Sequence, residues 1–568
     1  MKKNHQLNFI FCIIGAYMLL SMQSIAQPGW TPTTTLTTAT RFMEAVDCIS
    51  ANASMYTVGT RTNTNGTFDI IIARYNYSGL LLSSVTRNLS GFDEVPVKIK
   101  ADASGNIYVL SSANTTGTSR DLWLLKYNST LTFQWSQTFS GSTSSNDQAV
   151  DMVVSGSNVY VLGNSVQASS GSNVILVRYN TSGTLLNQTN FQFAANTNDE
   201  VATGLNFDGT SVYVCGYRNS GTSLDGMILK YNSSLTLLFS TSWSQFTTIS
   251  TNDAFNAIVT DGAHIYVAGY TNNTGVTIPT KETVVARFNK STGALVNAFL
   301  NSAFGSATTN EEFTHIAIEG TNIYTMGKKE KSAGKFSILM HKYNNLLVAA
   351  SGWPRNYNPG SDSYIGFDLD VRSSGGDVLV TGTAFRTSTS GINYTSSLTL
   401  YYTTGGTVIA EYATPNNVGC NTLETTGKAG LIWGSYSFDI AICGGHMAWS
   451  STIANVKANR AEIWFTLITP PSPPNDLPSA EQERIASSDL DEEPVFNIFP
   501  NPATTELRIS GKTMATEIRI FDLTGKLVSS HAAGSNSFSI DITDLQPGQY
   551  IMHLDTETGH EVSEFIKL

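Results

Sequence analysis

A short strand pattern, apolar then aromatic then apolar and ending near a glycine, recurs along most of the chain. Good copies are residues 159–163 (VYVLG) and 212–216 (VYVCG). Counted from Tyr56, the central positions advance by 52, 52, 53, 53, 58, 55 and 53 residues. They are Tyr56, Tyr108, Tyr160, Tyr213, Tyr266, Tyr324, Leu379 and Ile432. This regular period predicts a repeat protein in which each period forms one structural unit.

Each period also holds further strand patterns on either side of this centre. A second apolar run follows it, as in residues 173–180, and an acidic residue with another short run precedes it, as in residues 147–153. A looser fourth run follows, as in residues 185–191. Four short strands per period without a helical pattern are typical of a β-propeller blade. A linear β-solenoid is the structural alternative, but its repeats are normally shorter.

The sequence therefore predicts an all-β fold, a β-propeller followed by a small C-terminal β-sandwich. Eight blades are favoured because the eighth centre arrives on schedule at Ile432, and seven remain an alternative because residues 434–467 are irregular. Residues 31–38 precede the first repeat at the spacing of a fourth strand. We expect them to complete the last blade and close the ring.

Other segments delimit this predicted propeller. Residues 1–26 combine Lys2 and Lys3, an apolar run of about twelve residues and a small-residue cleavage site, which indicates a secretory signal peptide. The run is short of the ~20 residues that span a bilayer, so no transmembrane segment is expected in the mature chain. The propeller is expected over 27–468, and a Pro-rich, acidic linker over 469–494.

The block at 495–568 has alternating apolar residues divided by Gly, Asn and Pro turns. This pattern predicts a small antiparallel β-sandwich of about seven strands.

Composition and charge limit the partners. Removing Lys2 and Lys3 with the signal leaves 31 basic against 44 acidic residues, a net charge of −13. An acidic surface disfavours nucleic acid, since a phosphate backbone is bound through Lys and Arg. The charged fraction is only 14%, so neutral polar side chains must dominate the surface.

The repeat phrase resembles a known bacterial family. Residues 146–149 (NDQA), 156–163 (GSNVYVLG) and 177–180 (VRYN) resemble SBBP repeats, which form seven- to eight-bladed β-propellers. The resemblance covers about residues 47–402. It implies a fold and carries no settled activity or site.

The last block resembles the type A sorting domain of the Bacteroidetes type IX secretion pathway. The matching features are a Pro-Asn-Pro opening, a Gly-Lys centre, a Pro-Gly-x-Tyr strand and a short final strand with one lysine, where many members have two. The matching positions are Pro500, Asn501, Pro502, Gly525, Lys526, Pro547, Gly548, Tyr550 and Lys567. The resemblance implies recognition by the outer-membrane translocon, cleavage by its sortase, and a secreted or surface-attached product that has crossed the periplasm.

An acidic residue opens most repeats and is the one recurrent polar feature. The set comprises Asp47, Asp93, Asp147, Asp199, Asp253, Glu311 and Asp362. These carboxylates are weak candidates for a cation site, calcium being the metal considered, at one mouth of the channel. The favoured interpretation is that each accepts hydrogen bonds from loop amides and fixes the turn between blades. No cofactor is expected.

Four cysteines remain after the signal is removed. Cys48 and Cys215 lie in apolar strand patterns and are expected to be buried thiols. Cys420 and Cys443 are close enough in sequence to be a candidate disulfide in an oxidising compartment.

The sequence contains no zinc-binding His-Glu-x-x-His motif, no Gly-x-Ser-x-Gly nucleophile elbow and no phosphate-binding glycine loop. A non-catalytic binding or adhesion protein with a glycan or protein ligand on one face of the ring is therefore favoured. A secreted hydrolase or lyase acting on a glycan or another polymer is the alternative, because fold does not decide function.

Overall fold

The computed structural model describes residues 43–567 apart from short gaps. The gaps are 64–66, 77–80, 90, 115–118, 142–145, 168–170, 194–197, 220, 222, 246–250, 274–279, 301–308, 333, 361, 372–375, 388–392, 414–421, 434–438, 450–457, 469–495, 500–502, 523–526 and 557–558. Every regular element in the described residues is a β-strand, and the strands form two compact units.

The first unit contains six separate sheets of four strands and one sheet of seven strands, in which a bridge joins the first four strands to the last three. The seven four-stranded groups are here called blades 1 to 7, and the last three strands are called the final group. Blade 1 has β1 (Met43–Ala51), β2 (Ser54–Thr62), β3 (Phe68–Tyr75) and β4 (Leu81–Arg87); blade 2 has β5 (Glu94–Ala101), β6 (Ile107–Asn114), β7 (Arg120–Tyr127) and β8 (Phe133–Phe139); blade 3 has β9 (Asn146–Ser155), β10 (Asn158–Gln167), β11 (Gly171–Asn180) and β12 (Leu185–Phe191); blade 4 has β13 (Glu200–Phe207), β14 (Ser211–Asn219), β15 (Leu224–Asn232) and β16 (Leu237–Trp243). Blade 5 has β17 (Thr251–Thr260), β18 (His264–Asn273), β19 (Lys281–Asn289) and β20 (Leu295–Leu300); blade 6 has β21 (Glu311–Glu319), β22 (Asn322–Ser332), β23 (Lys335–Asn344) and β24 (Arg355–Tyr357); blade 7 has β25 (Ser363–Val371), β26 (Val378–Thr387), β27 (Asn393–Tyr402) and β28 (Val408–Ala413); the final group has β29 (Thr422–Trp433), β30 (Asp439–Trp449) and β31 (Ala458–Ile468).

Each blade is an antiparallel sheet in which the strands follow their order along the chain. The second strand is the most apolar because both of its faces are covered. Tyr108 and Leu110 on β6 pack with blade 3, whereas Ile107 and Val109 on the same strand pack with blade 1. Because side chains alternate along a strand, β6 contributes to the interface with blade 1 on one face and to the interface with blade 3 on the other, as stacked blades require.

The first strands of successive blades contact one another, and β29 contacts both β25 and β1. A bridge between Glu44 and Gly445 also joins β1 to β30. The start of the described chain thus meets its last group of strands, and the sheets form a closed ring. This arrangement is a β-propeller. Eight complete blades stay a prediction, because residues 31–38, expected to pair with β31, lie outside the described residues.

A β-bulge recurs at one position in every first strand. The bulged residues are Val46, Val97, Val150, Thr203, Asn256, Thr314, Phe367 and Lys428. The bulge explains the glycine of the repeat. A Cβ atom on Gly269 would lie 1.9 Å from the carbonyl oxygen of Ala254, and one on Gly216 would lie 1.9 Å from that of Val201. A side chain at Gly216 or Gly269 would therefore collide with the backbone beside the bulge.

The blades alternate between two types of hydrogen bond to the next blade, so the structural repeat is a pair of blades. In blades 1, 3 and 5 the tyrosine of the second strand donates to a carbonyl in the turn between the third and fourth strands of the next blade. The bonds join Tyr56 to Ser129, Tyr160 to Ser233 and Tyr266 to Asn345. In blades 2, 4 and 6 a lysine of the third strand makes the equivalent bond instead. The bonds join Lys126 to Thr181, Lys230 to Lys290 and Lys342 to Thr404.

The same turns differ in sequence for a steric reason. In blades 2, 4 and 6 the turn holds a buried leucine with positive φ: Leu131, Leu235 or Leu347. Leu131 packs against Tyr56 of the preceding blade. In blade 3 a glycine, Gly183, takes the equivalent place, since a Cβ atom there would lie 2.9 Å from the ring of Trp135. The aromatic residue of one blade thus selects the turn residue of the next.

The second unit is one antiparallel sheet of five strands: β32 (Phe496–Phe499), β33 (Glu506–Asp522), β34 (Leu527–Asp541), β35 (Gly548–Thr556) and β36 (Gly559–Lys567). β33 pairs with β34 along its length, with β32 near its start and with β35 near its end. Register shifts between Ser510 and Glu517 change the side-chain alternation, so that Ile509 and Ile518 face one core. The sheet has five strands where about seven were expected, and residues 506–522 form the single long strand β33.

Candidate functional site

The first polar position of each blade lies at the ring end where the first strands begin, here called the start face. In blades 2 to 7 its side-chain oxygen accepts a bond from the backbone N–H of the first or second residue of the third strand in the preceding blade. The bonds run from Phe68 to Asp93, Arg120 to Asn146, Ser172 to Asp199, Leu224 to Asn252, Lys281 to Asn310 and Phe336 to Ser363. Asp, Asn and Ser all serve, so the position requires an acceptor oxygen and no charge.

The next residue along the chain is a buried carboxylate in blades 2 to 6: Glu94, Asp147, Glu200, Asp253 and Glu311. Three of these accept a bond from a backbone amide in the loop that enters their own blade. The bonds run from Leu89 to Glu94, Gly141 to Asp147 and Gln245 to Asp253. Glu311 differs, since Lys329 lies 2.6 Å from its carboxylate. In blades 2, 3 and 5, two consecutive acceptors thus bind the third strand of the preceding blade and the loop that enters the blade itself.

The structure corrects the alignment of the acidic openers. Asp93 and Asp199 occupy the first acceptor position, whereas Asp147, Asp253 and Glu311 occupy the second. Asp362 lies one residue before the first position, and Asp47 lies beyond the bulge of β1. The seven residues are therefore not equivalent. Glu94 and Glu200 were missed because an aspartate directly precedes each of them, and counting back from the bulge identifies them.

Asp147 allows a test of the acceptor role against a metal role. Asparagine keeps the oxygen that accepts from Gly141 at 2.6 Å, so Asp147→Asn should leave stability nearly unchanged. Asp147→Ala strands a loop amide and should lower the free energy of unfolding by about 1–3 kcal/mol. Melting curves with and without a chelator measure both effects. A parent protein that melts lower in chelator would contradict the acceptor role.

Glu200 predicts a pH dependence of stability. Burial raises the pKa of its carboxyl from 4.5 to about 7, while a backbone amide at Phe193 and the charge of Arg218 act in the opposite direction. The folded chain holds this proton more tightly than the unfolded chain, so stability is full below pH 4.5 and falls as pH rises toward 7. Glu200→Gln should reduce that fall.

Urea unfolding of the parent and of Glu200→Gln at about pH 5 and pH 8 measures this effect. The variant should gain stability relative to the parent at the higher pH. Glu282→Gln, at a partly exposed glutamate of the next blade, is the matched control. An equal slope with pH for parent and Glu200→Gln would show that this carboxyl does not carry the effect.

The residue after each bulge forms a second set, placed where the first strands meet around the ring. The set comprises Asp47, Lys98, Asp151, Gly204, Ala257, His315, Asp368 and Ala429. Asp47 and Asp151 accept bonds from the backbone N–H groups of Ile99 and Leu205 in the next blades, at 3.0 and 3.3 Å. These carboxylates satisfy amides on the inner edge of the neighbouring strand.

Lys98 is the counter-ion of this inner set. Its Nζ lies 3.9 Å from Asp47, and its side chain is 34% exposed. Asp47 is the largest cause of a raised Lys98 pKa; burial opposes the shift, while Asp151 and Asp368 reinforce it. Burial, and then the charge of Lys98, lowers the pKa of His315 to about 4. The inner set therefore holds a cation and a neutral imidazole at neutral pH.

No group of three His, Cys, Asp or Glu side chains within the described residues could hold a metal ion. Cys48 and Cys215 are buried, as expected. Cys420 lies outside the described residues and only the backbone of Cys443 is described, so their disulfide stays a prediction. No helix in the described part of the chain is long and apolar enough to cross a membrane.

The second unit brings together parts of the predicted sorting motif. Gly548 pairs with Lys567 on β36, and Lys567 forms a parallel bridge with Ala503. Tyr550 stacks on Phe565 and donates a hydrogen bond to the carbonyl oxygen of Gln546 at 2.7 Å. Pro547 lies beside this strand. Pro500, Asn501, Pro502, Gly525 and Lys526 lie outside the described residues.

Comparison with known proteins identifies the second unit. Residues 497–568 match the family described as the secretion system C-terminal sorting domain. No curated protein matches the chain. Among solved structures, the β-propeller domain of the Trilobed protease from Pyrococcus furiosus is similar at 11% identity and a TM-score of 0.38, with 66% of this chain and 99% of that chain covered. The WD40 domain of SCAP from fission yeast is similar at 9% identity and a TM-score of 0.37, with 76% and 98% covered.

The blades and the family match together define the class of protein. The described chain is all-β, with a β-propeller followed by a small secretion system C-terminal sorting domain. This sorting domain indicates export to the cell surface or secretion.

Proposed function

We propose that the chain is an exported binding or adhesion protein without catalytic activity, delivered by type IX secretion. One observation carries the proposal for the propeller. The polar groups that recur from blade to blade are bonded to the backbone of neighbouring loops and strands, as with Asp93, Asp147 and Asp151. Such groups build the scaffold, and ligand recognition is left to positions where individual blades depart from the repeat.

The sorting domain supports the delivery route. A signal peptide at 1–26 would take the chain to the periplasm, and the domain would then engage the translocon and its sortase. We expect the mature protein to begin at or near Gln27 and to lack the block after about Glu493. Mass spectrometry of protein from the medium and the cell surface measures both ends. Full-length chain in the cytoplasm would contradict this route.

A panel of glycans and other polymers tests the binding function against the hydrolase or lyase alternative. Ligand binding and product release should be measured together on the same mature protein. We expect saturable binding of a panel member with no new reducing ends or shorter chains. Release of product at a rate that depends on protein concentration would favour an enzyme and reject the proposal.

A further inference from the structure

One region of the start face departs from the repeat in neighbouring blades. In blades 2 and 3 the position after the strand glycine, or after Ser111 in its place, carries a polar residue that bonds to the next first strand. Ser112 accepts from the amide of Ala149 at 2.7 Å, and Asn164 bonds to the backbone of Ala202 in blade 4. In blades 4 and 5 this position holds Tyr217 and Tyr270 instead. Both tyrosines are partly exposed.

Charged side chains surround these tyrosines. Lys281 lies with its Nζ 3.8 Å from the centre of the Tyr270 ring and 2.6 Å from a carboxylate oxygen of Glu312. Lys328 occupies in blade 6 the position that Tyr217 and Tyr270 occupy in blades 4 and 5, and its Nζ lies 2.8 Å from the other carboxylate oxygen of Glu312. Burial raises the pKa of Tyr217, nearby Tyr270 and Asp199 raise it further, and Lys281 acts in the opposite direction. The tyrosine–lysine cluster, as it is called here, comprises Tyr217, Tyr270, Lys281, Glu312 and Lys328.

The cluster differs in kind from the acceptor positions described above. Its lysine side chains are 35% and 34% exposed, whereas the glutamate between them is 13% exposed. Within the cluster two ammonium groups share one carboxylate. Outside it, the carboxylates nearest to the two tyrosines, Asp199 and Asp253, accept hydrogen bonds from backbone amides. Aromatic rings next to exposed ammonium groups provide both a surface for the C–H face of a sugar and donors for a carboxylate.

We propose that the tyrosine–lysine cluster binds an acidic polysaccharide, with Tyr217 and Tyr270 contacting sugar rings and Lys281 and Lys328 contacting uronate carboxylates. The proposal rests on the binding function proposed above and names its ligand class and location. The cluster spans blades 4 to 6, so successive sugar units of one polymer would meet successive blades. Glu312 holds both ammonium groups in place before the ligand arrives, which reduces the ordering required on binding.

Titration of the mature protein with polygalacturonate, and with uncharged dextran for comparison, tests the proposal. Tyr217→Ala, Tyr270→Ala and Lys328→Gln should each weaken polygalacturonate binding by about tenfold. Tyr270→Phe should retain most of it, since the ring is kept. Phe385→Ala is the matched control, because Phe385 is an exposed aromatic residue toward the start face of blade 7 and lies outside the cluster. Melting curves identify any variant that is not folded.

Polygalacturonate binding that falls in the three cluster variants and not in Phe385→Ala would support the proposal. An absence of polygalacturonate binding would overturn it, and so would binding that the cluster variants leave unchanged. In both of these cases the general binding function survives if another polymer of the panel binds without being cleaved. Cleavage of the polymer would instead reject the general function.

Discussion

Gly269→Ala should lower the free energy of unfolding by about 3 kcal/mol or more. The added Cβ atom would lie 1.9 Å from the carbonyl oxygen of Ala254 and 2.9 Å from its carbonyl carbon. Both are backbone atoms of β17, held in a ladder directly before the bulge at Asn256, so no flexible side chain can move aside. The strands must separate locally, and the hydrogen bonds around the bulge weaken with them.

Gly262→Ala is the matched control for this prediction. It lies in the turn before the same second strand, has no atom within 4 Å of an added Cβ, and should change stability by less than about 0.5 kcal/mol. Urea unfolding of the parent and both variants gives the comparison. Blade 2 carries Ser111 at the glycine position, opposite Pro96. Equal urea midpoints for Gly269→Ala and Gly262→Ala would contradict the prediction. They would show that blade 5 accommodates a side chain at the glycine position, as blade 2 does with Ser111.

The period of the fold was predictable because it depends on burial. A second strand covered on both faces must be apolar throughout, and this run repeats wherever a blade does, from Tyr56 to Tyr324. The four-strand order of each blade follows from the same pattern. The bulges were not predictable, because one extra residue in a first strand does not produce a recognisable change in the pattern of apolar and polar residues. This is why Asp47 was aligned with Asp147, although they lie on opposite sides of a bulge.

The alternation of blades left a signal in the sequence that a search at a single-blade period does not detect. The third-strand cation alternates between arginine and lysine at Arg74, Lys126, Arg178, Lys230, Arg287 and Lys342. The structure explains this alternation. Lys126 donates to the carbonyl oxygen of Thr181 in the next blade, whereas Arg178 donates to Asn158 in its own blade. Contacts between blades join residues about 50 positions apart, and no local pattern specifies them.

The tyrosine–lysine cluster shows the same limit for function. Tyr217 and Tyr270 fit the apolar–aromatic character of their strands, so the sequence gives no reason to single them out. They become distinctive once the register shows that Ser112 and Asn164 occupy the same position in other blades. A departure from a repeat can be recognised only after its positions are aligned in space.

Deletion of residues 27–40 should destabilise the propeller by several kcal/mol. In blades 1 to 7 the third strand pairs with a strand on each side. In the final group the third strand, β31, pairs only with β30 among the described residues. β1 lies beside this last group, joined to it by the bridge between Glu44 and Gly445. Residues 31–38 precede β1 in the sequence by only a few residues, and we expect them to pair with β31. Without them, β31 would keep a free backbone edge and one blade face would lose its cover.

Removal of only residues 27–30 is the matched control, because it shortens the chain and keeps the expected strand. Thermal melting and hydrogen exchange should be measured for the parent and both deletions. The longer deletion should melt lower, and the amides of β31 should exchange faster in it than in the parent, because a ladder bond protects an amide that an open edge exposes. The shorter deletion should match the parent in both measurements. If the longer deletion also matches the parent, the ring closes without residues 31–38, and the bridge from β1 to β30 must hold its ends together.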